Sequence, residues 1–335
     1  MIISRTPFRV SFFGGGTDYP SWYNEEKGAV LSTTIDKHVY ITCRWLPPFF
    51  PHRHRIVYSR VEDVVEIDEI QHAAVREILK HMGVDRGIEV HAHADLPARA
   101  GLGSSSSFVV GLLHALHAQK GGMVEKLQLA RQAIHVEQDL LSENVGSQDQ
   151  IAAAVGGLCR IEFSHQDQFA VQRLPLPLDR RRALEQHLML FFTGFSRSAS
   201  EIAGDQIRNT TRNHRELRSM VGMVDEGVGI LASDGDILDF GRLLDEAWQV
   251  KRKLSDRITK PEIDEMYQRA RKAGAVGGKL LGAGGGGFFL LFVEPDRQND
   301  VREALPDFLH VPFRLEDQGS QIVVYQPDPE PGARL

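Results

Sequence analysis

Cysteine is almost missing from this chain of 335 residues: only Cys43 and Cys159 occur. Two cysteines so placed build no disulfide framework and lack metal-ligand spacing, so the expected setting is a reducing cytoplasm. A surplus of positive charge is missing as well. Thirty-nine Lys and Arg stand against 45 Asp and Glu, for a formal charge of -6 and a pI near 6.2. That balance argues against general binding of nucleic acid or of an anionic membrane, so any anion this chain holds must be met by local donors. No apolar run is long enough to cross a bilayer, and Met1-Ile-Ile-Ser-Arg5 reaches a charge at once, so neither a membrane span nor a signal peptide is expected. There is no Gly-x-x-x-x-Gly-Lys-Ser/Thr, which excludes a P-loop. The length exceeds what one core usually serves, and two domains are the default expectation.

Glycine, by contrast, is abundant and gathered into three clusters: Gly14-Gly-Gly-Thr-Asp18, Gly101-Leu-Gly-Ser-Ser-Ser-Ser107 and Gly282-Ala-Gly-Gly-Gly-Gly287. The second lies between a strand-like stretch, 88–94, and an apolar run beginning at Phe108. It reads as an anion cradle: Gly101 and Gly103 admit close approach, and the serines opening a helix leave N–H groups facing outward at the positive end of its dipole. The hydroxyls of Ser104, Ser105, Ser106 and Ser107 can cap the helix, bind phosphate oxygens or ligate magnesium, and four of them exceed what one cap requires. Gly282, Gly284 and Gly287 match Gly-x-Gly-x-x-Gly literally, but they follow a helix and precede a strand, the reverse of a dinucleotide fingerprint. The alternative for that loop is a glycine hairpin packed on neighbouring backbone.

Periodicity predicts mixed helices and strands. Strands are expected at 1–13, broken at Pro7, and at 33–44, 56–67, 88–94, 156–163, 187–192 and 288–293, with one or two more in 311–325. Helices are expected at 70–82, 105–119, 124–141, from the 193–198 loop to about 231, and at 240–254 and 261–273. The polar, proline-bearing stretch 164–182 is the expected domain boundary, dividing 1–180 from 181–335, and the class is α+β. Leu127, Ala130, Ile134, Glu137 and Leu141 share one helical face, so Glu137 sits in an apolar stripe. A carboxylate there needs a metal or a buried cationic partner unless the helix is rotated to its edge. Asp149 lies just beyond that helix. Three glycine loops and two acids suit phosphoryl transfer.

In order and spacing, the segment Pro7-Phe-Arg-Val-Ser-Phe-Phe-Gly-Gly-Gly-Thr-Asp18, Pro97 to Ser107 and Gly282 to Phe288 resemble the three motifs of the GHMP kinases, over nearly the whole chain. Within that family, Gly14-Gly-Gly-Thr-Asp, Gln148-Asp-Gln-Ile and Thr193-Gly-Phe-Ser-Arg-Ser are most similar to the bacterial heptose 7-phosphate kinases. Galactokinases carry a Glu-His pair where Gly15-Gly16 stands here, while Arg9, Asp18 and Tyr19 match. The resemblance implies an amino-terminal domain like that of ribosomal protein S5 and a ferredoxin-like carboxy-terminal domain, with ATP and Mg²⁺ as cofactors. It makes Asp149 the catalytic carboxylate with Arg9 beside it, Gly101 to Ser107 the triphosphate cradle, and Ser105 with Glu137 the magnesium ligands. Gly15, Gly16, Thr17, Asp18, Gly284, Gly285 and Arg197 would face the acceptor, a small sugar phosphate. The family further implies a monomer or homodimer. Other sugar-1-kinases, fucokinase-like or galactokinase-like, are the alternative within the family. A catalytically silent sugar sensor on the same fold would have lost Asp149, Arg9 or Glu137, and all three are present.

Overall fold

Strand β1 (Ile2–Phe13) is continuous and pairs with β2 (Gly28–Trp45) along nearly its full length. The expected break at Pro7 is only a register shift between Pro7 and Phe8, a place where a residue without an N–H is tolerated. The computed structural model describes residues 1–98, 100–165, 168–195 and 199–327. The long β2 serves further partners, β6 (Cys159–Ser164) along its first part and β5 (Ile88–Ala94) along its last. The single strand expected at 56–67 is a hairpin, β3 (His54–Val57) and β4 (Val61–Val64), with β3 parallel to β5. β7 (Gln168–Arg173) pairs with β6, so the expected boundary stretch contributes a strand to the first sheet.

The helices of this half are α1 (Pro20–Tyr23), α2 (Ala73–His81), α3 (Ser104–Gln119), α4 (Lys126–His135) and α5 (Gln148–Val155). α3 is apolar on most of its circumference because β1 and β2 lie on one side of it and α4 and α5 on another. Gly111 permits the approach to the sheet: a methyl group there would stand 3.0 Å from Thr6 Oγ1. α4 stops at His135, short of the expected 141, and a π turn follows at Val136–Leu140, closed by Leu141 N–H donating to the Val136 carbonyl at 2.9 Å. That wide turn carries Glu137, which is fully buried. Such turns cluster at functional positions.

After α6 (Leu178–His187) the chain builds a second sheet from β8 (Leu188–Phe192), β9 (Ala275–Leu280), β10 (Phe288–Val293) and β11 (Leu309–His310), antiparallel in the order β11-β8-β10-β9. Helices α7 (Ala199–Arg208), α8 (His214–Ala232), α9 (Leu238–Lys251) and α10 (Pro261–Lys272) connect β8 to β9, and α11 (Gln298–Ala304) connects β10 to β11. The succession β-α-β-β-α-β is that of a ferredoxin-like domain. β10, Phe288-Phe-Leu-Leu-Phe-Val293, is buried at every residue, as a strand covered on both faces must be.

The tail corrects the expected division of the chain. β12 (Leu315–Glu316) pairs with β2 and β13 (Gln321–Tyr325) with β1, so the last strands belong to the first sheet. Ser320, fully buried between them, bonds Thr6 Oγ1 at 2.8 Å and His114 Nδ1 at 2.9 Å. Alternation announced a strand but carried no information about which sheet would take it. The two halves meet where β1 ends, with Phe12 and Phe13 packed edge-on against Phe240 of α9 at 5.2 and 5.0 Å.

Candidate active site

The cradle forms because two glycines adopt backbone angles closed to other residues. Gly101 has φ +83° and Gly103 +76°, and Gly103 is the residue that caps α3. A side chain at Gly101 would strike the Leu281 carbonyl at 2.5 Å, since this loop and the third glycine loop pack backbone against backbone. Leu102 is the buried apolar anchor of the turn, and its carbonyl accepts from Arg9 N–H at 3.1 Å. The four serines divide. Ser107 N–H donates to the Gly103 carbonyl and Ser107 Oγ to the Pro7 carbonyl at 2.8 Å, so this residue, expected to touch phosphate, has both its donors committed to the fold. Ser106 is buried and donates to Glu137 Oε2 at 2.6 Å. Ser105 is exposed, with its hydroxyl also in hydrogen-bonding reach of Glu137.

Arg9 and Asp149 form a bidentate pair at the rim of the cradle. Arg9 Nε donates to Asp149 Oδ1 at 2.6 Å and Nη2 to Oδ2 at 2.7 Å, while Nη1 holds the Gly101 carbonyl at 2.7 Å. Arg9 is 4% exposed and Asp149 23%, so the carboxylate is the member of the pair that meets solvent. Gly103 makes room for both: a Cβ there would lie 3.3 Å from Arg9 Cγ and from Asp149 Oδ2. One residue further along α5, Gln150 reaches the other way and donates to Glu137 Oε2.

Among the described residues Glu137 meets no cation. Burial pushes its carboxyl up to about 7 against the pull of Ser106, Ser105 and Gln150, and its Oε1 has no hydrogen-bond partner among the described residues. A buried carboxylate oxygen left over beside serine hydroxyls fits a hard divalent cation, which takes oxygen ligands and draws the rest of its shell from phosphates and water. No group of three or more His, Cys, Asp or Glu side chains able to hold a metal occurs among the described residues, so a dedicated all-protein cage is not what this site offers.

The first glycine loop is pinned from within. Thr17 is fully buried and its Oγ1 donates to the Gly14 and Ala29 carbonyls at 2.8 and 2.9 Å, which removes it from the expected substrate face. Asp18 is buried; its Oδ1 accepts from Gly16 N–H at 2.9 Å and its Oδ2 from Gln148 Nε2 at 2.9 Å. Desolvation above all, and the nearby Asp149, raise its carboxyl from the usual range. Gly15 is partly open, but Gly16 is covered by Leu217, Leu254 and Gln206, whose nearest atoms would lie 3.4 to 3.8 Å from a Cβ there. The room left by the missing Glu-His pair is thus partly filled by α7 and α8.

From the second domain come two lysines that are absent from the site expected from sequence. Lys251, at the end of α9, is 4% exposed and donates to the Leu280 carbonyl at 3.1 Å and to that of Gly282. Lys279, in β9, is 2% exposed and donates to the Phe12 carbonyl at 2.7 Å. Neither has a carboxylate within salt-bridge distance among the described residues. Burial first, then neighbouring cations, lowers both ammonium groups, Lys251 to about 7. The available signal was Lys279 directly before the third loop. Gly284 and Gly285 pack on Ile258: a Cβ on Gly284 would lie 2.7 Å from Ile258 Cα, and Gly285 N–H donates to the Ile258 carbonyl at 2.8 Å. Arg197 lies outside the described residues.

Residues 69–157 match the model of the GHMP kinases N terminal domain and residues 229–311 that of the GHMP kinases C terminal domain, together just over half of the chain. The chain belongs to the GHMP kinases. It is therefore a phosphotransferase, and kinases of this family take ATP as phosphate donor. This kinase is 26% identical over 317 residues to the D-glycero-alpha-D-manno-heptose 7-phosphate kinase of Campylobacter jejuni, spanning 91% of this chain and 93% of that one. It is 25% identical to the L-fucokinase/L-fucose-1-P guanylyltransferase of Bacteroides fragilis, over 96% of this chain and 38% of that longer one. Among solved structures, one titled as a D-glycero-D-manno-heptose 1-phosphate kinase from Bacteroides thetaiotaomicron superposes with a TM-score of 0.79 at 24% identity, over 97% of this chain and all of that one. No helix among the described residues is long and apolar enough to cross a membrane.

Proposed function

We propose that this kinase transfers the γ-phosphoryl group of ATP to the anomeric C1 hydroxyl of D-glycero-D-manno-heptose 7-phosphate, giving the 1,7-bisphosphate for nucleotide-activated heptose synthesis in the cytoplasm. The observation that carries the proposal is the Arg9–Asp149 pair at the mouth of the cradle, within Coulombic reach of Asp18. Asp149 Oδ orients the C1 hydroxyl and accepts its proton as the oxygen attacks the γ-phosphorus. Arg9 keeps that carboxylate in place and offsets the negative charge that moves between oxygens. The N–H groups at the start of α3, with Gly101 to Ser106, hold the triphosphate, and the bond from γ-phosphorus to the β–γ bridging oxygen breaks to release ADP. Ser105 and Glu137 would hold Mg²⁺, which supplies charge neutralisation at the phosphates when bound. Gly15 meets sugar hydroxyls, Asp18 holds that loop through Gly16 N–H, Gly284 lines the acceptor side, and Arg197 anchors the distal phosphate in an otherwise acidic protein.

The test is incubation with ATP, Mg²⁺ and a panel of free sugars and sugar 7-phosphates, following ADP release and locating the new phosphate by phosphorus NMR. Phosphorylation of the heptose 7-phosphate at C1 is the expected result. Turnover confined to fucose or galactose would replace the acceptor, and ligand binding with no turnover of any sugar would make the protein a sensor. Arg197→Ala should raise KM for the sugar phosphate and leave that for ATP unchanged.

A further inference from the structure

Two successive peptide groups of the third glycine loop are held by buried side chains from opposite elements. Lys251 Nζ, from α9, takes the Gly282 carbonyl, and Gln206 Nε2, from α7, takes the Ala283 carbonyl at 2.8 Å. In a trans peptide the N–H points away from its carbonyl. The Ala283 and Gly284 N–H groups are therefore turned away from Lys251 and Gln206 respectively, and neither meets an acceptor among the described residues. Residues 282–284 are the partly open part of the loop, while 285–287 are buried. Gly282 also touches the cradle: a Cβ on it would lie 2.6 Å from Gly101 Cα. Successive free N–H groups in such a turn make an anion-binding concavity.

We propose that Lys251 is a positioning residue for the phosphoryl group in flight: it fixes the third loop so that the Ala283 and Gly284 N–H groups meet the phosphoryl oxygens, and its ammonium adds positive charge behind them. The proposal rests on the phosphoryl-transfer reading above but not on the identity of the sugar. Lys251 faces Arg9 from β1, Asp18 from the first loop, Asp149 from α5 and Lys279 from β9. Arg9 is already engaged on both oxygens of Asp149, so the charge left to answer incoming phosphate is that of the lysines. Burial holds Lys251 at about 7 without ligand, so its charge is at risk as pH rises, and an arriving phosphoryl group favours the protonated form.

The experiment compares wild type, Lys251→Met and Gln206→Leu with ATP, Mg²⁺ and whichever sugar the wild type phosphorylates, from pH 6 to 9.5. Should it phosphorylate none, the slow hydrolysis of ATP passes through the same phosphoryl group and serves as readout. Lys251→Met should lower kcat roughly 10- to 100-fold, the scale of one charge-assisted contact, with both KM values within about threefold. The wild-type kcat/KM for ATP, which reports the free enzyme, should fall above pH 7 as Lys251 loses its proton; that limb should be missing in Lys251→Met and present in Gln206→Leu, whose kcat is also reduced. A wild-type kcat/KM for ATP that is flat from pH 7 to 9.5 and matched by that of Lys251→Met overturns the proposal. So does a Lys251→Met enzyme of normal kcat, or one that keeps the wild-type limb. Phosphorylation of a sugar other than the heptose 7-phosphate would remove the acceptor assignment and leave Lys251 to be judged on that sugar.

Discussion

Two carboxylates, Asp149 on α5 and Glu137, whose amide partner Gln150 is the next residue of that helix, are treated by the protein in opposite ways. Asp149 has a guanidinium on both oxygens, while Glu137, more deeply buried, has hydroxyl and amide donors on one oxygen and, among the described residues, no hydrogen-bond partner on the other. A buried charge is stable only where something offsets the loss of water. For Asp149 the offset is built into the chain. For Glu137 no cation among the described residues supplies it, so the carboxyl rises to about 7, and on the proposed reading the offset is a cation that arrives with the nucleotide. The difference separates a group that must be charged when the acceptor hydroxyl arrives from one whose charge is set by a ligand.

The largest expected effect comes from making the first carboxylate like an amide. Asp149→Asn should lower kcat by roughly 10²- to 10⁴-fold, the range for losing a general base, with ATP binding retained. The new amide N–H would face an Arg9 donor, so a loss of about 1–3 kcal/mol in stability should accompany it. Steady-state kinetics, nucleotide titration and a thermal melt check all three. Near-normal turnover would mean that the Arg9 pair is structural and that the comparison with Glu137 is false.

Of intermediate size is the pH dependence carried by Glu137. Its folded-state value, about 7, lies above its ordinary 4.5, so its contribution to stability is complete below pH 4.5 and is lost as pH rises to 7. Between those limits the metal-free protein should lose about 3 kcal/mol through this group. Glu137→Gln should abolish that slope, leave stability at pH 5 almost unchanged, and raise the magnesium needed for half-maximal rate. Melting temperature against pH, with and without MgATP, reads it. If the slope persists in Glu137→Gln, the carboxylate titrates normally and its unpartnered oxygen awaits no cation.

Much of this site was legible because glycine and small polar residues have few other reasons to cluster. The cradle at Gly101 and Gly103 followed from its glycines and serines, the burial of Glu137 from its apolar stripe, and the pairing of Arg9 with Asp149 from the resemblance to the GHMP kinases. Less legible was anything decided by direction. Thr17 and Ser107 belong to the right loops, but their hydroxyls point inward, a choice made by the carbonyls of Gly14, Ala29 and Pro7 that no spacing encodes. Lys251 and Lys279 look in sequence like solvated charges, and only the packing of α9 and β9 against the glycine loops buries them. The π turn was invisible because the apolar stripe of 127–141 suits an α-helix as well. The return of β12 and β13 to the first sheet was hidden for a related reason, since strand pattern is local and strand partner is not.

The smallest expected effect separates the two serines that sit beside Glu137. Ser106 is buried and its hydroxyl donates to Oε2 at 2.6 Å, whereas Ser105 is exposed at the cradle surface. If Ser106 serves the carboxylate and Ser105 the cation, their alanine variants should fail differently. Ser106→Ala removes a donor that lowers the Glu137 carboxyl, so it should move the stability loss to still higher pH and cost about 1 kcal/mol above pH 7, the worth of one hydrogen bond. Ser105→Ala should leave the melting curve nearly as it was and raise the magnesium requirement several-fold, because one hard oxygen ligand is gone. The two variants are measured side by side, by melting against pH and by rate against magnesium. An unchanged magnesium requirement in Ser105→Ala together with a raised one in Ser106→Ala would hand the cation to the buried serine, and Glu137 Oε2 would then have to exchange a hydrogen bond for a metal contact during each turnover.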